Sequence, residues 1–342
     1  MSPHVPHHIH AKLLLPAVLI GLLSTFAFVA LFTSALHDPR PNGLAVAVVA
    51  PPAAAAQVQR SLDQALPGGF EVKRFAGEAA ARHALAGQEV DGVFVASHEP
   101  RLLLAGGAGA NAAIALRTAF GAAAGAQGRH LDVDDLAPLP EHDSRGLSAF
   151  FTVAGTSIGS LLFAIALFFL GGHAGQVALR LRLAMVAAFA VATGLLVAID
   201  TDFVVDGLSG AFWGVAGIGA LLAVTVALLT TAVVRWLGAP GIGLCVLALM
   251  LFSLPASGGA VGPEFVPDFY RAVAPILPSH AALLALRGTV YFDGGGTTTP
   301  ILILMAWTGG AVLTILAAHA VRRDPPRMPV LNRTAAVGTA EA

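Results

Sequence analysis

From Leu147 to Leu170 the chain carries no charged side chain. About 20 apolar residues in a row is the length a helix needs to cross a bilayer. Similar runs recur at Leu13–Leu36, Leu183–Ile199, Leu208–Val234, Ile242–Leu254 and Ile301–Val321. The whole chain is 56% hydrophobic and 11% charged, against roughly 25% charged for a soluble domain. Its mean hydropathy is +0.78. In lipid every backbone polar group must be satisfied within its own segment, which favours helices. The expectation is an α-helical membrane protein with six transmembrane helices, one followed by five, and a small α/β extracellular domain between helices 1 and 2.

Composition removes some classes. A net charge of -1 gives no electrostatic reason to expect a nucleic-acid partner. The single cysteine, Cys245, lies in an apolar run, which excludes an internal disulfide or a cysteine metal cluster. The abundance of Ala, Gly and Val points to a GC-rich bacterial source.

Basic residues in short segments orient the spans. Lys12, Arg180 with Arg182, Arg235, and Arg322 with Arg323 and Arg327 all fall on one side of six spans. That side is read as cytoplasmic, in a bacterial cytoplasmic membrane with both termini inside. The expected divisions are a cytoplasmic tail at 1–11, a first span at 12–36, an extracellular domain at 37–146, a membrane domain at 147–321 and a tail at 322–342. His4, His7, His8 and His10 crowd the first tail. Pro3 and Pro6 prevent a helix that would align them, so a solvated terminus is favoured over a metal site.

Within 37–146 the pattern changes. LAVAVVA (44–50) is a β-branched strand closed by two prolines. Ala53–Leu66 has helical spacing, and Phe70–Phe75 alternates. Glu78–Ala86 reads as a helix closed by Gly87, Val90–Ala96 and Arg101–Ala105 as strands, and Asn111–Ala126 as a helix. No phosphate-binding glycine loop or nucleophile elbow occurs here.

Residues 263–299 are too polar for a span and too apolar for a plain loop. Pro263, Pro267, Pro275 and Pro278 forbid one continuous helix. The expectation is two short amphipathic helices near a membrane surface. The first covers Val266–Ala274, and the second follows Pro278 and ends at Gly288. No Asp, Glu, Lys or Arg lies inside the second to fifth runs, which argues against an ion path through them. No Walker A sequence occurs, so any energy from nucleotide comes through a partner. Gly155 with Gly159 and Gly210 with Gly214 make small-residue pairs that suit either a dimer interface or packing within one bundle. The segment Gly172–Arg182, with His173, Arg180 and Arg182, is either a solvated linker or a short cytoplasmic helix touching a partner.

One span, an external domain and five clustered spans resemble the permease subunits of type-2 ABC exporters, including smaller relatives of the phage-infection-protein group. ARHALAGQEVDGVFVAS (81–97), the spans from Leu147 to Leu254, and APILPSHAALLALRGTVYFDGG (274–295) carry the likeness. The long coiled coil of the phage-infection-protein group has no counterpart in 37–146. The resemblance implies a transport subunit that is not itself an enzyme and binds no cofactor. ATP acts through a separate cytoplasmic ABC ATPase, and a second permease completes a homo- or heterodimer in the lipid bilayer. It further implies outward movement of a lipid-like or amphipathic substrate, with a coupling loop at His173, Arg180 and Arg182. An external lid would carry Pro275, Leu277, Pro278, Arg287 and Gly288. The competing reading is a membrane-anchored envelope scaffold or receptor acting through 37–146.

Overall fold

A computed structural model describes residues 11–170 and 179–323. Helix α1 is Ala11–Leu36. A five-stranded sheet follows, built from β1 (Leu44–Val49), β2 (Phe70–Phe75), β3 (Gly92–Val95), β4 (Arg101–Leu104) and β5 (Asp132–Asp135). Helices α2 (Pro52–Ala65), α3 (Glu78–Ala86) and α4 (Ala110–Ala126) connect the strands. The sheet order is β2-β1-β3-β4-β5. β1 pairs in parallel with both β2 and β3, β3 with β4 is antiparallel, and β4 with β5 is parallel.

Side chains alternate across a strand, so β1 supplies two cores. Leu44, Val46 and Val48 pack with Leu62 of α2 and Leu116 and Phe120 of α4. Ala47 packs on the other face with Ala81 and Leu85 of α3. This double burial explains why β1 reads as a continuous apolar run. Pro52 opens α2 at a position where its missing N–H costs nothing.

The apolar helices are α5 (Ser148–Leu170), α6 (Leu179–Val204), α7 (Phe212–Leu237), α8 (Pro240–Ala256) and α11 (Thr298–Arg323). Between α8 and α11 lie α9 (Asp268–Val273) and α10 (Pro278–Tyr291). Among the described residues four helices are long and apolar enough to cross a membrane, and five if the bent pair formed by 268–276 and α10 counts as one span. The pair bends by 76°, because Pro275 and Pro278 leave Leu277 extended at φ -82° and ψ 137°. The tails 1–10 and 324–342, with their histidines and Arg327, lie outside the described residues.

The stretch expected at a membrane surface divides. In α9, Asp268 and Phe269 are exposed. Helix α10 is instead enclosed: Ala281, Ala282, Leu283, Ala285 and Leu286 belong to the main helical core with Val215 and Leu222 of α7 and Leu304 of α11. Small side chains on α10 let neighbouring helices close around it. Gly288 does not end the helix, which runs on to Tyr291. Its missing side chain makes room for the returning loop, since a Cβ there would lie 2.7 Å from Thr297 Cγ2 and 2.8 Å from Gln88 Nε2.

Candidate functional site

Helix α1, the linker after it and the sheet domain all meet at the segment between α8 and α11. Tyr270 Oη of α9 pairs with Ser34 Oγ of α1 at 2.6 Å. The Asn42 amide donates to Asp268 Oδ1 at 2.6 Å, and the Arg271 guanidinium donates to the Asn42 carbonyl. Asn111 Nδ2 of α4 donates to the Val261 carbonyl at 2.9 Å. Gln88 Nε2, in the α3–β3 loop, donates to the Gly295 carbonyl at 3.1 Å. Phe265 completes one core of the sheet, while Tyr291 and Phe292 pack against the other.

A polar stripe runs along enclosed α10. His280, Arg287 and Tyr291 are seven and four residues apart, which places them on one helical face. The His280 Nδ1–H donates to the Ser257 carbonyl at 2.9 Å. Arg287 is 4% exposed, and its Nη2 donates to the Gly259 carbonyl at 3.3 Å. Its Nη1 is buried without a hydrogen-bond partner. Glu264, Tyr291 and Asp143 surround the guanidinium within electrostatic range. Tyr291 Oη donates to the Gly207 carbonyl at 3.4 Å, and its ring fills the space where Gly107 has no side chain. Asp143 accepts from the Leu147 and Ser148 amides at 2.8 and 3.0 Å, capping α5.

Two carboxylates extend the cluster toward the sheet. Asp91 Oδ2 accepts from the Ala45 amide at 2.8 Å. Burial, and then the Glu264 carboxylate, push Asp91 well above its ordinary value of 3.8. Burial also raises Glu264, opposed by its backbone amide, Arg287 and Arg271. Burial and the neighbouring Glu264 carboxylate thus favour the protonated form of Asp91, with its hydrogen bond from Ala45 and the Lys73 ammonium opposing. A raised carboxyl pKa stabilises the folded chain fully below the ordinary carboxylate range. That contribution is lost as pH rises through the folded-state value. Asp91→Asn keeps an oxygen for Ala45 and removes the charge. It is expected to raise the unfolding midpoint near pH 8 and leave it unchanged near pH 4. Each tenfold change in proton affinity is worth about 1.4 kcal/mol. Thermal unfolding of both proteins across that range checks it, and parallel curves would overturn the assignment.

The residues expected to be functional are dispersed. Arg180 is exposed and Arg182 half-exposed in the first turn of α6, and His173 lies outside the described residues. Pro275 is exposed, Leu277 is half-buried at the bend, and Pro278 is buried at the start of α10. Of that group only Arg287 enters the polar cluster. Gly155 and Gly159 face open space. Gly210 is in a turn at φ +88°, outside α7, so it shares no helical face with Gly214, which packs on Thr289 of α10. Close helix contact occurs instead between Gly194 of α6 and Gly219 of α7. The sequence reading missed His280, Tyr291, Glu264, Asp91 and Asp143. The spacing of 280, 287 and 291 was the available signal. No family model, curated protein or solved structure matches this chain.

Proposed function

We propose that the chain is the membrane subunit of an exporter driven by a separate cytoplasmic ATPase. The observation that carries this reading is the bent helix pair just before the last apolar helix, enclosed on one side and tied to the sheet domain on the other. Such an element joins a domain outside the bilayer to helices inside it, and it can close or open the top of a path between them. In this reading the apolar helices make six crossings of a bacterial cytoplasmic membrane. The sheet domain lies outside and both termini lie in the cytoplasm. Two such subunits pair in the bilayer, and the cargo is lipid-like or amphipathic. The first coupling element is Gly172–Arg182, where exposed Arg180 supplies charge to an ATPase surface.

The test is association. With a candidate cytoplasmic ABC ATPase from the same source co-expressed, Arg180→Glu with Arg182→Glu is expected to weaken co-purification about tenfold while leaving the unfolding midpoint in place. Undiminished association of the double variant would remove the coupling role.

A further inference from the structure

One face of α11 lines a groove that runs most of the helix. Thr299, Ile303, Trp307, Gly310 and Thr314 contribute to it at spacings of three and four residues, as one helical face requires. The groove has three sections of about 520, 380 and 410 Å³. Pro275 and Ile303 are shared by the first two sections, and Trp307 by the last two. At 1.5 Å per residue, Thr299 to Thr314 spans about 22 Å.

The two ends differ chemically. The mouth lies where the sheet domain meets the helices and is lined by His83, Gln88, Glu89, His280, Thr298 and Thr299. Among the described residues no Lys or Arg lines it, and the nearby Lys73 ammonium donates to the Glu89 carbonyl at 3.2 Å. Glu89 adds a carboxylate, and the two threonines add hydroxyls that both donate and accept. The His280 Nδ1–H is held by the Ser257 carbonyl, which leaves Nε2 as the ring nitrogen free for a ligand. Farther along, the walls are Leu229, Val233, Trp236 and Leu244. An acceptor-rich mouth without a lining cation disfavours a phosphate and suits hydroxyl donors.

We propose that this groove binds one amphiphile, with an uncharged polyhydroxyl head at the His83–Glu89–Thr298 mouth and an alkyl tail along α11. That the amphiphile is cargo rests on the transport reading, but binding itself needs neither ATP nor a partner. Trp236 and Trp307 line the groove and Trp213 does not, so the Trp213→Phe chain reports on the groove alone. In phosphatidylcholine nanodiscs, an alkyl glucoside with a brominated chain is expected to quench that fluorescence saturably. It should do so at a mole fraction about tenfold lower than the alkyl phosphate of the same chain. His83→Ala with Glu89→Ala, both at exposed positions, should shrink the preference below about twofold. Equal, unsaturating quenching by both probes means ordinary annular lipid and overturns the proposal. Preference for the phosphate overturns it as well, and a glucoside preference untouched by the double substitution overturns the assignment of the mouth. A failed ATPase association with selective quenching intact would sink the exporter reading and leave the groove standing.

Discussion

Arg287→Leu is expected to cost about 3–5 kcal/mol of stability, the range for breaking buried charge partnerships. The guanidinium is 4% exposed and holds the Gly259 carbonyl. It also lies within electrostatic range of Glu264 and Asp143. Without it, Glu264 keeps a raised proton affinity, with only its backbone amide and Arg271 to oppose it. Arg287→Lys should recover only part of this, because an ammonium keeps the charge near Glu264 and Asp143 but not the planar guanidinium that holds the Gly259 carbonyl. Arg287→Leu combined with Glu264→Gln should be more stable than Arg287→Leu alone, since it removes the carboxylate left behind. Unfolding midpoints of the three variants in one detergent check this. Equal midpoints for the single and double variants would show that Glu264 does not depend on Arg287.

The second large effect belongs to Gly194. A Cβ built there meets the Ala216 carbonyl of α7 and lies 2.8 Å from Ala220 Cβ, while one at Gly219 lies 2.7 Å from Val197 Cγ2. Backbone atoms cannot rotate away as a flexible side chain would, so α6 and α7 must separate. Gly194→Val is expected to cost about 3 kcal/mol, at the upper end of overpacking effects. Gly155→Val and Gly159→Val meet open space and should stay within about 0.5 kcal/mol in the monomer. Chemical unfolding of the three variants measures the contrast, and a neutral Gly194→Val would mean that the α6–α7 contact yields easily.

The contrast between these glycines shows where sequence reading reaches its limit. The apolar runs and most elements of the sheet domain were legible because period and punctuation are local signals. The close contact of Gly194 and Gly219 joins two helices, so no spacing within either one announces it. Strand β5 was missed because it reads Asp-Val-Asp-Asp. Its Asp135 is instead a turn builder, accepting from the Gly106 and Ala137 amides at 3.0 and 3.2 Å. Helix α10 was read as superficial because its stretch is too polar for a span and its prolines forbid one continuous helix. Its enclosure depends on Ala281, Ala282 and Ala285 fitting between α7 and α11, which only the assembled bundle reveals. The polar cluster was illegible for the same reason, as Asp91, Asp143, Glu264 and Arg287 come from four separate places in the chain.

Phe265 completes one core of the sheet domain, and Tyr291 and Phe292 lean on the other. Both pieces leave the ribosome long after the last strand, Asp132–Asp135, and after α5 to α8. The sheet therefore waits, with two apolar gaps, while most of the membrane helices are made. Transiently exposed apolar surface of this kind is what draws chaperones and drives misassembly. Maturation of the domain is thereby tied to insertion of the bundle: a chain stalled before α9 would present an unfinished sheet that quality control can recognise.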